Sequence, residues 1–263
     1  MINLFITLYL NYDTSNYLMN IPESIFDAKL IPEYVNVNNI NLLVGTNVKD
    51  LNLLGFFDSI DLATTNMQMI RYGNNLKYSN VLTKSCQRIV KRFNECNLKG
   101  KNLPYFKNAI TFFSKKNCYK LFKNGQLMII GKPNISNMNK YIKIIFKLIE
   151  NYANVDEVKI LDVKICSLNF NIKLSSICID SVTQKLLSNG YVKKPHLFIK
   201  ADIFESNNQC IYIFKDTIVG WGYKSPRNIT KLFDLIKEFV ELKLISGISN
   251  ETEYEDYIFN IDI

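Results

Sequence analysis

Apolar residues along this chain change from a period of two to a helical period, and they do so twice in the same order. Residues 121–150, LFKNGQLMIIGKPNISNMNKYIKIIFKLIE, return in looser form at 213–239, IFKDTIVGWGYKSPRNITKLFDLIKEF, with Gly131 and Gly222 91 positions apart. Each copy predicts strand, tight turn, strand and then an amphipathic helix, so the chain reads as two related halves. In the first half Met67–Tyr72 predicts a short strand turned by Gly73-Asn74-Asn75. Ser79–Phe93 predicts a helix, with Val81, Leu82, Cys86, Ile89, Val90 and Phe93 on one side and Lys84, Arg88, Lys91 and Arg92 on the other. Strands follow at Tyr105–Phe113, Cys118–Phe122 and Gln126–Gly131, joined by connections of hairpin length. Pro133 ends the last strand. Ser136 then caps a predicted helix to Tyr152 that turns Ile142, Ile145, Phe146 and Ile149 inward and Lys140, Lys143 and Lys147 outward.

The second half repeats the order. Val158–Leu168 predicts a strand, Ile179–Leu187 a helix, and Leu197–Phe204, Cys210–Phe214 and Thr217–Gly222 strands. Ser225-Pro226 opens a final helix predicted over Arg227–Leu244. The expected organisation is an N-terminal extension at 1–60, repeats at 61–153 and 154–247, and a tail at 248–263. Within the extension, Ile2–Tyr9 and Leu42–Gly45 suggest strands, and Pro22 and Pro32 interrupt it. The expected fold class is α+β: two halves joining their strands into one curved antiparallel sheet, helices on a single face, the other face open. Alternation puts Gln126, Met128 and Ile130 on one face with Lys120 and Phe122 across the hairpin, and Thr217, Val219 and Trp221 with Tyr212 and Phe214. Alternation does not say which face is open, so core and surface both remain available to them.

Charge sharpens this picture. The formal charge is +8, and the five acids of the tail from Ser249 conceal +13 on the rest of the chain. Between Leu76 and Ile149 there are 16 Lys or Arg and one acid, Glu95, an imbalance that suits a polyanion or an acidic protein partner. Asn, Lys, Ile and Tyr are inflated throughout, as an A/T-rich genome would produce, and that alone would raise Lys. The six cysteines have no paired spacing and the single histidine is His196, which argues for free thiols and against zinc. No metal or cofactor is expected. The opening MINLFITLYL is too short to cross a membrane, and an intracellular protein without a membrane partner is expected. No P-loop, GxSxG or HExxH occurs, and Gly220-Trp221-Gly222 is too short for a nucleotide fingerprint, so an enzyme is not expected.

The repeat resembles the saddle-shaped core of the TATA-binding protein family over Met67–Leu244. FKNGQLMIIG follows that family's strand–turn–strand signature, Ile160-Leu161-Asp162-Val163-Lys164-Ile165 resembles its repeat-opening segment, and Phe214 to Gly222 matches with one residue deleted. The divergence and the A/T-rich flavour resemble the family's factors in large cytoplasmic DNA viruses. The resemblance implies a monomeric transcription-initiation factor that binds A/T-rich promoter DNA in the minor groove and bends it, recruiting a transcription factor or RNA polymerase subunits. The expected compartment is then a viral factory in the host cytoplasm or the virion, or the nucleus for a cellular protein. In that family paired phenylalanines wedge between base steps. Phe122 and Phe214 match one of each pair, and the second members fall at Tyr105 or Phe106 and at Leu197 or Phe198. Lys120, Met128 and Ile130 would then line one half of the floor, and Tyr212, Val219 and Trp221 the other.

Departures from the family pattern stand beside these matches. The family's groove-reading asparagine is Ser167 in the second half, with Asn66 or Gln68 nearest in the first, and its threonines are Ile130 and Trp221. Such a surface can bend DNA yet is poorly equipped to read TATA. A protein-interaction module with weak or no DNA binding is the competing expectation. The family's acidic second stirrup is here Tyr191-Val192-Lys193-Lys194-Pro195. Lys193 and Lys194 are therefore partner-binding candidates, with Lys84, Arg88, Lys91 and Arg92 and Lys140, Lys143 and Lys147 on helices expected on the convex side.

Overall fold

The computed structural model describes residues 20–98, 108–195 and 201–243. At its centre β1 (Val35–Thr46) runs antiparallel to β7 (Ile160–Ile177), with Asn41 opposite Ser167 and Asn39 opposite Asn169. Outward from β1 lie β6 (Leu127–Gly131), β5 (Asn117–Phe122), β4 (Ala109–Phe113), β2 (Met69–Tyr72) and β3 (Asn75–Tyr78). Outward from β7 lie β11 (Thr217–Tyr223), β10 (Gln209–Ile213), β9 (Asp202–Ser206) and β8 (Val192–Lys194). The sheet is curved, open and antiparallel, and the fold is α+β as expected.

The helices are α1 (Leu53–Ser59), α2 (Lys84–Leu98), α3 (Ile135–Ala153), α4 (Ile179–Ser188) and α5 (Pro226–Ile236). Reading outward from the β1–β7 seam, β1 corresponds to β7, α1 to α4, β4–β6 to β9–β11, and α3 to α5. The strand β3 and the helix α2 have no counterpart among the described residues of the second half.

One difference from the sequence expectation sits at the centre. Val35–Thr46 belongs to a segment expected outside the repeat, yet it opens the first half, and Met69–Tyr72 is an outer hairpin strand instead. The cause is visible in VNVNNINLLVGT. Apolar residues alternate with asparagines, which disfavour strands, and a register shift between Val37 and Asn39 breaks the phase of the alternation.

Helix ends follow local chemistry. Asn134, not Ser136, caps α3, its side chain accepting from the Asn137 N–H at 2.8 Å. Ser225 caps α5 with Pro226 at its start, as expected. That helix stops at Ile236 rather than Leu244; a short turn leads into β12 (Val240–Leu242), which pairs with the far end of β7. A long-range strand partner overrides the helical period there.

Four helices share one face. Ile40, Leu42, Leu121, Ile129, Phe170 and Ile218 pack there against Phe56 of α1, Ile142 and Ile145 of α3, Val182 and Leu186 of α4, and Ile229 and Ile236 of α5. Each fully buried Leu, Ile or Phe contributes about 1.5–3 kcal/mol relative to exposure. Residues 20–34 strap across these helices: the Asn139 amide holds both backbone groups of Ile21, and Thr230 donates to the Leu30 carbonyl.

The helix α2 lies on the opposite face. Cys86 and the partly buried Leu82, Ile89 and Val90 pack on Met69, Phe113, Cys118, Ile130 and Met128, which alternate with the residues of the main core. Helices on a single face hold for α1, α3, α4 and α5 but not for α2. Amphipathicity shows that a helix buries one side; it does not choose between the two faces of a sheet.

Candidate nucleic-acid interface

Strand register fixes which side chains look away from the four-helix face. Ile218 pairs with Ile172 inside the core, so Val219 and Asn171 point outward, and Tyr212 and Cys210 lie beside Val219 and Trp221 on the same side. Tyr212, Phe214, Val219, Trp221 and Ser167 are each half-buried and none belongs to the helix-packed cluster. The rings of Tyr212 and Trp221 lie 6.2 Å apart at 56°, forming a continuous aromatic surface. Alternation from Val219 turns Trp221 outward, and a register shift between Gly220 and Tyr223 returns Tyr223 to the core. Gly222 makes this possible: its φ is +80°, and a Cβ there would stand 2.3 Å from the Asn208 carbonyl oxygen.

The seam between the halves is a row of amides. Asn41 donates to the Ser167 hydroxyl at 2.8 Å, Asn39 faces Asn169, and Asn36 faces Asn171. The Asn169 side-chain oxygen Oδ1 accepts from the Gly222 N–H at 3.4 Å. The side-chain oxygens of Asn39 and Asn41 are buried without a hydrogen-bond partner among the described residues. Such a group costs about 1–3 kcal/mol until it is satisfied. Leu42 faces Ile129 as Phe170 faces Gly220, so the first-half counterpart of Ser167 is Asn39 and that of Asn169 is Asn41, two residues that sequence reasoning missed. Neither Asn66 nor Gln68 takes that place: Asn66 sits in a left-handed turn, and the Gln68 oxygen accepts from the Thr83 N–H and hydroxyl at the start of α2.

The first-half counterparts meet a different environment. Lys120, Met128 and Ile130 do share the outward face, but Ile130 is 2% and Lys120 8% exposed, and Ile130 and Met128 pack in the α2 cluster. Phe122 stands half-buried at the end of its strand opposite Ala109. The structure therefore brings together Ser167, Tyr212, Phe214, Val219 and Trp221 on a half-face that no described helix covers, and separates them from one that α2 covers. Tyr105, Phe106, Leu197 and Phe198 lie outside the described residues, as does the acidic tail from Ser249.

The basic residues divide into three settings. Lys84, Arg88, Lys91 and Arg92 are exposed on α2, on the outward side of the sheet rather than the side first expected. Lys140, Lys143 and Lys147 are exposed on α3, on the four-helix side. Lys193 and Lys194 pair with Asp202 at 2.6 Å and Glu205 at 3.5 Å, so β9 supplies the acids that balance this basic turn. No group of three or more metal-ligating side chains occurs among the described residues, and no described helix is long and apolar enough to cross a membrane.

No family model matches the chain, and no curated protein matches it in sequence. Among solved structures the chain is similar to Methanococcus jannaschii TBP, at 16% identity and a TM-score of 0.47, over 79% of this chain and 99% of that one.

Proposed function

We propose that the protein is a transcription-initiation factor of the TATA-binding-protein type that binds double-stranded promoter DNA through the minor groove and bends it. The observation that carries this reading is the half-face that no described helix covers, where Phe214, Tyr212, Val219 and Trp221 adjoin a row of amides that includes the unsatisfied oxygens of Asn39 and Asn41 on a curved sheet. The minor groove offers a floor of base acceptors, with a donor at each G·C pair. Amides and hydroxyls such as Asn41, Asn169 and Ser167 suit such a floor, and apolar side chains suit unstacked base steps. The chemistry required is binding and deformation, without a catalytic group. We assign the protein to the TATA-binding-protein-like factors of large cytoplasmic DNA viruses, acting as a monomer with a transcription factor or polymerase subunit in the host cytoplasm or virion. The A/T-rich amino-acid usage supports that assignment.

One observation favours a second reading. Because α2 covers the first half's outward face, a full saddle is not presented, and a protein-interaction module that has lost DNA would tolerate this. The two readings separate in a fluorescence bend assay on A/T-rich duplexes. Minor-groove binding predicts a bend that Phe214→Ala and Trp221→Ala abolish in folded protein. A protein that distorts no duplex, or that bends DNA equally well after both substitutions, contradicts it.

A further inference from the structure

The helix α2 is firmly seated on the outward face. Gln68 holds Thr83 at its start, and Cys86 is fully buried on the sheet. What it turns outward is a stripe of cations: Lys84, Arg88, Lys91 and Arg92 are all exposed, and the acid among them is Glu95, 4.0 Å from Lys91. Their spacing places them along one side of the helix, and the stripe runs about 12 Å from the first to the last. At 3.4 Å per step along a strand, that length matches roughly three to four phosphates.

Position gives the stripe its meaning. The cluster under α2 includes Ile130 and Met128 of β6, and only β1 and β7 separate β6 from β11, the strand that carries Trp221. Three inter-strand steps amount to about 14 Å. Both features lie on the same side of the sheet, so the helix stands as a basic wall beside the half-face that no described helix covers.

We propose that α2 is a phosphate-contacting ridge: the backbone of a duplex seated on the Trp221 half-face runs along Lys84, Arg88, Lys91 and Arg92. This rests on the reading of the half-face as a DNA surface, and it makes the interface asymmetric, with apolar and amide contacts from one half and charge from the other. Ordinary solvation of a helix face would not require the cations to flank that surface.

Salt dependence tests the ridge on the full chain. Each phosphate contact contributes about 0.9 to the slope of log affinity against log salt. Replacing Lys84, Arg88, Lys91 and Arg92 together by Gln should make the slope shallower by roughly 2–4 on that basis, while Trp221→Ala lowers affinity and leaves the slope in place. Replacing Lys140, Lys143 and Lys147 of α3 by Gln should leave the slope unchanged, because they face the other side. The Lys and Arg side chains replaced are all exposed, and circular dichroism checks that the variants stay folded; should the fourfold variant misfold, each single α2 replacement should still shift the slope by about 0.9. A slope unchanged by the α2 replacements, or changed as much by the α3 ones, overturns the ridge while DNA binding stands. A parent protein with no duplex affinity at low salt overturns both.

Discussion

Ile130 and Trp221 occupy matching places in the two halves, directly before Gly131 and Gly222, yet truncating them should have opposite consequences. Ile130 is 2% exposed between the sheet and α2, among Met69, Phe113, Cys118 and Cys86. Ile130→Ala removes three carbons, which at about 0.8 kcal/mol each is roughly 2.4 kcal/mol. The cavity left behind adds to this, placing the loss at about 2–5 kcal/mol. Trp221 is half-buried outside both helix-packed clusters, with the Tyr212 ring 6.2 Å away. Trp221→Ala should therefore cost only about 0.5–1.5 kcal/mol of stability. Duplex affinity should respond in reverse: about 2 kcal/mol, or roughly 30-fold, lost for Trp221→Ala as for a buried aromatic anchor, and little change for Ile130→Ala. Urea unfolding followed by circular dichroism measures the first pair and a duplex titration the second. An Ile130→Ala protein within about 0.5 kcal/mol of the parent would refute the reasoning, because surface truncations fall in that range and α2 would then not be packed on it.

Two further outcomes follow from local geometry. Gly220 packs against Phe170 so closely that an added Cβ would stand 2.2 Å from the ring; Gly220→Ala should lower stability by about 1–3 kcal/mol, with partial recovery on adding Phe170→Leu. A Gly220→Ala protein that melts with the parent would contradict that packing. Cys178 is exposed, and its hydrogen bond to Ser181 at 3.0 Å holds its thiol below the usual value, whereas burial raises those of Cys166 and Cys210. A lowered value means more thiolate at neutral pH, so a thiol reagent should label Cys178 ahead of Cys166 and Cys210. Ser181→Ala should slow that labelling; mass spectrometry showing equal rates at the three sites would count against it.

Much of the second half was readable because its strands and helices are short, periodic and bounded by turn residues. Tyr212, Phe214, Val219 and Trp221 alternate cleanly, and Ser225-Pro226 marks a helix start by its own chemistry. The centre was harder. Val35–Thr46 interleaves valine and isoleucine with asparagines and carries a bulge, so the strand that joins the halves looked like an extension. Its asparagines are poor strand formers, and what holds them is the long partner β7. The site of α2 was not legible at all: its cations stand apart from Cys86, Ile89 and Val90 as expected, although Val81 is exposed ahead of the helix, but choosing a face required knowing which strands lie beneath Cys86.

Trp221 is the chain's single tryptophan, and it stands on the half-face assigned to DNA, so its emission reports on that surface alone. Titrating the protein with an A/T-rich duplex at low salt should shift or quench this fluorescence to saturation, in step with the bend seen by end-labelled DNA. A duplex that binds and bends with no change in Trp221 emission would place the interface elsewhere.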